Sequence, residues 1–435
     1  MSRQNLEITP SNHTSTGNIS FKSGNPVIQF IIGEQDRLLL GGSVRFAGDL
    51  QVFFNSAEDI PANASALAMD ESIGMYGIVD QLVIKSQSTH QVIEEIKHYP
   101  RFMKSYLPIT SSLNDSLGHL GETALTLPAY DAQRRSVVNL VSMKQTGNRF
   151  SINLPCGLFN GQNPIPLMAN GEGGVGGLLV EIHLAPDSNV LFDQDGGTTI
   201  GDAFYQLKNV KLMAEAVVPD PSVRMPPANT FEYNSISSYF TTFNSTNAII
   251  NFNLGLSRVL GVFGNMIAAS KINNRTQNGL SLNFPVNSDG GQTKANITQL
   301  VFTRGGERFP LEYNVDTSQK DDSSITKADE QIMRNYMNSV RQFSKIMRTS
   351  VSPANTKYIS GLPADVNKVP EGGSVAGIGV AYDVISGDGV DFSSVNFGIN
   401  MEVMGLTTDN PQALYLFVHS KQTLAFSRDG IAVVK

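Results

Sequence analysis

Apolar and polar residues alternate in short runs through most of this chain, and glycine, proline, asparagine or aspartate breaks nearly every run. A period of two marks β-strands that bury one face. In 148–155, Phe150, Ile152 and Leu154 fall on one face, with Arg149, Ser151 and Asn153 on the other. In 395–404, Phe397, Ile399, Met401 and Val403 oppose Asn396, Gly398, Asn400 and Glu402. The same pattern predicts strands at 26–32, 37–54 (with Gly48 at a bulge), 78–86, 177–185, 203–218, 231–243 and 248–256. A hairpin is expected around Gly305-Gly306 within 297–315, and another around Arg428-Asp429-Gly430. The run 413–419, ALYLFVH, is apolar on both faces, which predicts burial between layers or subunits.

Helical periodicity is rare. Residues 327–348 place Ile332, Met333, Tyr336, Met337, Val340, Phe343 and Met347 on one face, behind a Thr326 cap, and predict one long helix covering a sheet. A short helix is expected over 99–107, just after Pro100. Val259, Leu260, Phe263 and Ile267 suggest a further helix over 257–270, against which Gly261 and Gly264 count. Residues 1–25 are expected to form an N-terminal arm.

The middle of the chain is the sharpest break. Residues 219–229, PDPSVRMPPAN, hold Pro219, Pro221, Pro226 and Pro227, and neither a helix nor a central strand can pass through them. On either side lie short strands, a glycine-rich run (171–184 and 371–384) and a long closing strand. This predicts an all-β chain with two tandem copies of one fold, 26–218 and 230–435, joined by a linker at 219–229.

Composition narrows the function. Net charge is −7 and no basic arm is present, so binding to phosphate backbones is not expected. The single cysteine, Cys156, excludes an intrachain disulfide, and with a polar, leaderless N-terminus it fits folding in a reducing compartment. No membrane-spanning segment is expected, since the most apolar stretch, 247–269, is broken by Asn251, Asn253, Arg258 and Asn265.

Candidate chemistry is sparse. GEGGVG at 171–176 matches a dinucleotide-binding pattern but leads into a strand, whereas pyrophosphate binding needs a helix N-terminus there. GGSVAG at 372–377 lacks the last glycine of a nucleophile elbow, and SxxK at Ser324–Lys327 sits at a helix start. His13, His90, His98, His119, His183 and His419 have no partners at metal-ligand spacing; His183 and His419 fit sheet positions, and Cys156 a packed thiol. Asp193, Asp195 and Asp202 fit a solvated turn. No catalytic, cofactor or metal site is expected, and the chain should act through its surfaces.

In this architecture, in the closing strand 203–220 and in the ending QALYLFVHSKQTLAFSRDGIAVVK (412–435), the chain resembles the double jelly-roll major capsid proteins of small tailless icosahedral double-stranded DNA viruses, of the polinton-like and virophage type. The resemblance implies two eight-stranded jelly rolls and a homotrimer that forms a pseudo-hexameric capsomer. It further implies a place in the virion capsid, assembled inside the host cell, with neighbouring capsomers, penton and minor capsid proteins as partners. A two-domain β-sandwich that binds carbohydrate, such as an adhesin, is the alternative, disfavoured by the absence of tryptophan. A polysaccharide lyase or glycosidase on the same sandwich would need paired carboxylates that sequence does not place.

Overall fold

The computed structural model describes residues 2–12, 20–53, 57, 67–70, 73–110, 123–125, 148–161, 163–193, 201–219, 229–275, 278–280, 296–310, 315–316, 327–347, 377–382, 388–404 and 411–435. Elements are numbered in chain order among these residues.

The first half contains β1 (Ser2–Ile8), β2 (Val27–Ile32), β3 (Leu38–Leu39), β4 (Arg45–Phe53), β5 (Leu67–Ala68), β6 (Val79–Ser86) and β7 (Val92–Lys97). It continues with α1 (Tyr99–Thr110), β8 (Asn148–Asn153), β9 (Ile165–Pro166), β10 (Leu178–Leu184), α2 (Asp187–Val190), β11 (Phe192–Asp193) and β12 (Phe204–Val218). One sheet runs β1-β12-β4-β8, with β3 and β9 extending it; the other runs β2-β10-β6-β7. Counting only the eight long strands, the two sheets have the orders 1-8-3-6 and 2-7-4-5.

The second half contains β13 (Thr230–Phe243), β14 (Asn247–Phe252), β15 (Val259–Ala268), β16 (Asn296–Arg304), β17 (Glu307–Arg308) and β18 (Val315–Asp316). After these come α3 (Lys327–Met347), β19 (Ile378–Ala381), β20 (Phe397–Met404), β21 (Gln412–Ser427) and β22 (Gly430–Val434). Its sheets run β13-β21-β15-β19 and β14-β20-β16-β17, with β18 also on β16 and β22 on β21. With β17 and β18 taken together as strand five, the orders are again 1-8-3-6 and 2-7-4-5. Both halves are therefore eight-stranded antiparallel jelly rolls of the same connectivity.

Three sequence expectations need correction. Residues 257–270 are not a helix: 259–268 form β15, buried at every residue. Val262 and Met266 point into the roll, while Phe263 and Ile267 join the packing outside it. A strand buried on both faces shows no polar alternation, and the register shift between Val259 and Gly261 breaks what period remains. Gly264 fits here because a Cβ would stand 2.0 Å from the Tyr415 carbonyl oxygen. Second, residues 2–8 are not part of a separate arm but strand one, paired from Ser2↔Val218 to Ile8↔Leu212. Its apolar signal is weak because Ser2–Asn5 are exposed and only Leu6 and Ile8 are partly covered. Third, the two glycine-rich runs are not equivalent. The run at 171–184 leads into strand seven (β10), and Gly377 leads into strand six (β19).

The rolls part between Val218 and Thr230, and 220–228 of the proline-rich segment lie outside the described residues. So do residues 372–376, Ser324, Thr326, Asp195, His13 and His119.

Candidate functional site at the seam between the rolls

The two rolls meet in a continuous buried seam, and α1 is its centre. Pro100 stands in the first turn, where its missing amide costs no bond, and the His98 carbonyl accepts from the Arg101 and Phe102 amides at 2.8 and 3.1 Å. Tyr99, Phe102, Met103, Tyr106, Leu107 and Ile109 are buried on one face of the helix, and Arg101, Lys104 and Ser105 are buried on the other. The helix is therefore enclosed on all sides, and the second roll supplies part of the enclosure. The Phe102 ring lies 5.7 Å from Phe343 of α3, 5.5 Å from Phe417 of β21 and 6.1 Å from Phe263 of β15. This accounts for 413–419: Leu414, Leu416 and Val418 fill the second roll, while Ala413, Tyr415 and Phe417 face the first.

Polar groups fix the register of this apolar contact. Lys104 Nζ lies 2.8 Å from Asp70 Oδ2, with side chains only 7% and 1% exposed. Asn278 Nδ2, from the second roll, donates to the same oxygen at 2.7 Å. Asn265 Nδ2 donates to the Arg101 carbonyl at 2.9 Å, the Tyr336 hydroxyl donates to the Ser105 carbonyl, and Arg101 donates to the Gly279 carbonyl.

A second line of contact joins β7, an edge strand of the first roll, to β13 of the second. Glu94 of β7 is 2% exposed. Its Oε1 accepts from the Gly157 amide at 2.9 Å and the Ile236 amide at 2.8 Å, and its Oε2 accepts from the Leu158 amide at 2.8 Å. Burial pushes this carboxyl up to about 6, and the three amides hold it from rising further. Tyr233 donates to the Ile93 carbonyl at 2.7 Å, and the Lys97 amide donates to Ser238 Oγ at 3.1 Å. Gly157 permits the close approach, since a Cβ there would lie 1.9 Å from the Asn234 carbonyl oxygen.

The residues weighed for chemistry stay apart. Cys156 is buried with its thiol pushed well up by desolvation, which keeps it protonated and unreactive. His419 is buried in β21, its Nε2 3.1 Å from Asn234 Oδ1, and burial lowers its pKa to about 3. His183 lies 3.8 Å from Glu181, whose carboxylate also accepts from Lys85 at 2.7 Å and Gln29 at 3.0 Å. GEGGVG at 171–176 runs from a single helical turn into β10, not into a long helix. Among the described residues, no group of three or more His, Cys, Asp or Glu side chains could hold a metal ion, and no helix is long and apolar enough to cross a membrane. Glu94 and β7 escape a sequence reading because VIEEIK sets two glutamates in mid-strand, where alternation predicts one face polar.

No family model and no curated protein matches the sequence. Solved structures do match over the whole chain. A chain of the Sputnik virophage structure is 12% identical, with a TM-score of 0.59 over 99% of this chain and 88% of that one. The Faustovirus major capsid protein is 10% identical, with a TM-score of 0.58 over 98% and 90%. A chain of the PBCV-1 virus capsid is 11% identical, with a TM-score of 0.54 over 100% and 96%. At such identities the likeness is one of fold. The chain is a tandem double jelly roll, the fold it shares with these viral proteins.

Proposed function

We propose that this chain is a structural major capsid protein that works by self-association and carries out no catalysis. The observation that carries the reading is the pair of rolls with identical strand order, locked by a seam as buried as a domain core. A rigid two-roll unit is what a tile requires. Three copies give six rolls, so threefold symmetry yields a near-hexagonal capsomer that can pave an icosahedral shell. The likeness to the Faustovirus major capsid protein and the PBCV-1 virus capsid chain supports this reading. The net charge of −7 suits a shell that does not neutralise nucleic acid directly. Neighbouring capsomers, penton and minor capsid proteins are the partners of such a tile, and the virion is its location.

Light scattering on the purified protein tests the proposal. A mass near three times 47.1 kDa is expected, with hexagonal arrays at high concentration. A stable monomer at every concentration overturns it.

A further inference from the structure

Lys104, Asp70 and Asn278 meet across the seam in an arrangement that holds more than an ion pair. Asp70 Oδ2 touches both of the others, Lys104 Nζ at 2.8 Å and Asn278 Nδ2 at 2.7 Å. The two nitrogens are therefore neighbours on one oxygen, one from each roll. Asn278 is held at its other end as well, where Oδ1 accepts from the Leu280 amide at 2.9 Å. Asp70 is fixed by the Ile73 amide, which donates to its Oδ1 at 3.2 Å. Arg101, on the same helix as Lys104, donates to the Gly279 carbonyl and pins the segment that carries Asn278. Met103, Leu107 and Leu280 are buried, as are Asp70 and Lys104 themselves, so bulk water is kept from the amine and the carboxylate. Asn278 is half-buried, which leaves a small departing group a way out.

An ion pair needs only the ammonium and the carboxylate. The amide in the same contact supplies the rest of an acyl transfer. Lys104 Nζ is a nucleophile at hydrogen-bond distance from a general base, the pairing that activates an amine. Asn278 Cγ is the electrophile, its oxygen already resting on a backbone N–H that can hold negative charge. Its Nδ2, the leaving nitrogen, lies beside the group that would protonate it.

We propose that Lys104 and Asn278 join in an isopeptide bond, with Asp70 carrying the protons, so that the two rolls become covalently stapled across their seam. Asp70 takes a proton from the Lys104 ammonium, and the freed Nζ attacks Asn278 Cγ. The Leu280 amide holds the charge that gathers on Oδ1. Asp70 then gives its proton to Nδ2, the Cγ–Nδ2 bond breaks and the Cγ–Nζ amide remains. A second proton leaves Nζ through the same carboxylate and ends on the released ammonia. The chain loses one ammonium ion, nothing is oxidised, and Asp70 is again a carboxylate. Each chain undergoes this once, without turnover, and the step does not depend on assembly of a trimer.

Asn278 precedes Gly279, and such a pair can also lose ammonia by closing on the Gly279 nitrogen. The test separates the two products. The purified full chain is incubated at neutral pH until its mass is constant, then denatured, weighed by mass spectrometry and mapped with trypsin. Wild type should be lighter than its sequence requires by one ammonia, should resist cleavage after Lys104, and should yield a branched peptide joining the Lys104 and Asn278 segments. Lys104→Arg and Asp70→Asn should keep full mass and yield linear peptides only. Wild type at full mass overturns the proposal, with no variant needed. So does a lighter wild type whose Lys104 and Asn278 peptides are separate, since that product is the Asn278-Gly279 ring. A branched peptide that persists in Asp70→Asn overturns the role given to Asp70.

Discussion

Glu94 joins three backbone amides from two rolls to one buried carboxylate, and its titration opposes that of His419. The folded-state value of Glu94, about 6, lies above its ordinary 4.5. Between those values the folded chain keeps a proton that the unfolded chain has lost, so this group's contribution falls as pH rises from about 4.5 to about 6. His419 does the reverse. Its folded value of about 3 lies below the ordinary 6.5, so its contribution is complete above pH 6.5 and is lost as pH falls toward 3. In the window from about 4.5 to about 6 the two slopes offset each other. Glu94→Gln removes one of them. The variant should lose stability on acidification across that window more steeply than wild type, by up to about 1.4 kcal/mol per pH unit. Urea midpoints at pH 7, 6 and 5 measure this, and parallel curves for the two proteins would refute it. At pH 7 the same variant should already be weaker by about 1–3 kcal/mol, because an amide group replaces one acceptor and faces the Leu158 N–H.

At the scale of elements, α1 is the keystone, and Phe102 is its central side chain. Phe102→Ala should cost about 3–5 kcal/mol, the range for an enclosed aromatic whose neighbours cannot collapse into the space. Because the rings around it come from α3, β15 and β21 as well as α1, the loss should loosen the second roll from the first. Limited proteolysis near residues 219–229 should then be faster than in wild type; an unchanged cleavage rate would show that the rolls hold together without α1. These elements were unequally legible. The strands β8 and β20 declare themselves by alternation and α3 by its apolar stripe, because each has one wet face. β15 and the first part of β21 are dry on both faces, so sequence alone identifies burial but not always the element. β7 hides behind Glu94 and Glu95, and β1 behind its exposed polar residues. The seam was legible only as the two-faced apolar run 413–419. Its partners, α1 and the β7 edge, come together through tertiary contacts more than a hundred residues apart, which no local period records.

At the scale of the molecule, the repeat is real in topology and faint in sequence. The first roll ends with Val218 and the second begins with Thr230. The glycine-rich runs of the two halves precede different strands, and what recurs is the strand order, 1-8-3-6 and 2-7-4-5, in both halves. A jelly roll tolerates this divergence because its order is set by which faces are apolar and which turns are tight, not by particular side chains. The central claim is that two such rolls, fixed by one seam, form a third of a six-lobed tile. Electron cryomicroscopy of the purified assembly tests it most directly. The account predicts a ring of six similar lobes with threefold symmetry. A particle with twofold symmetry, or a protein that stays monomeric, would contradict it.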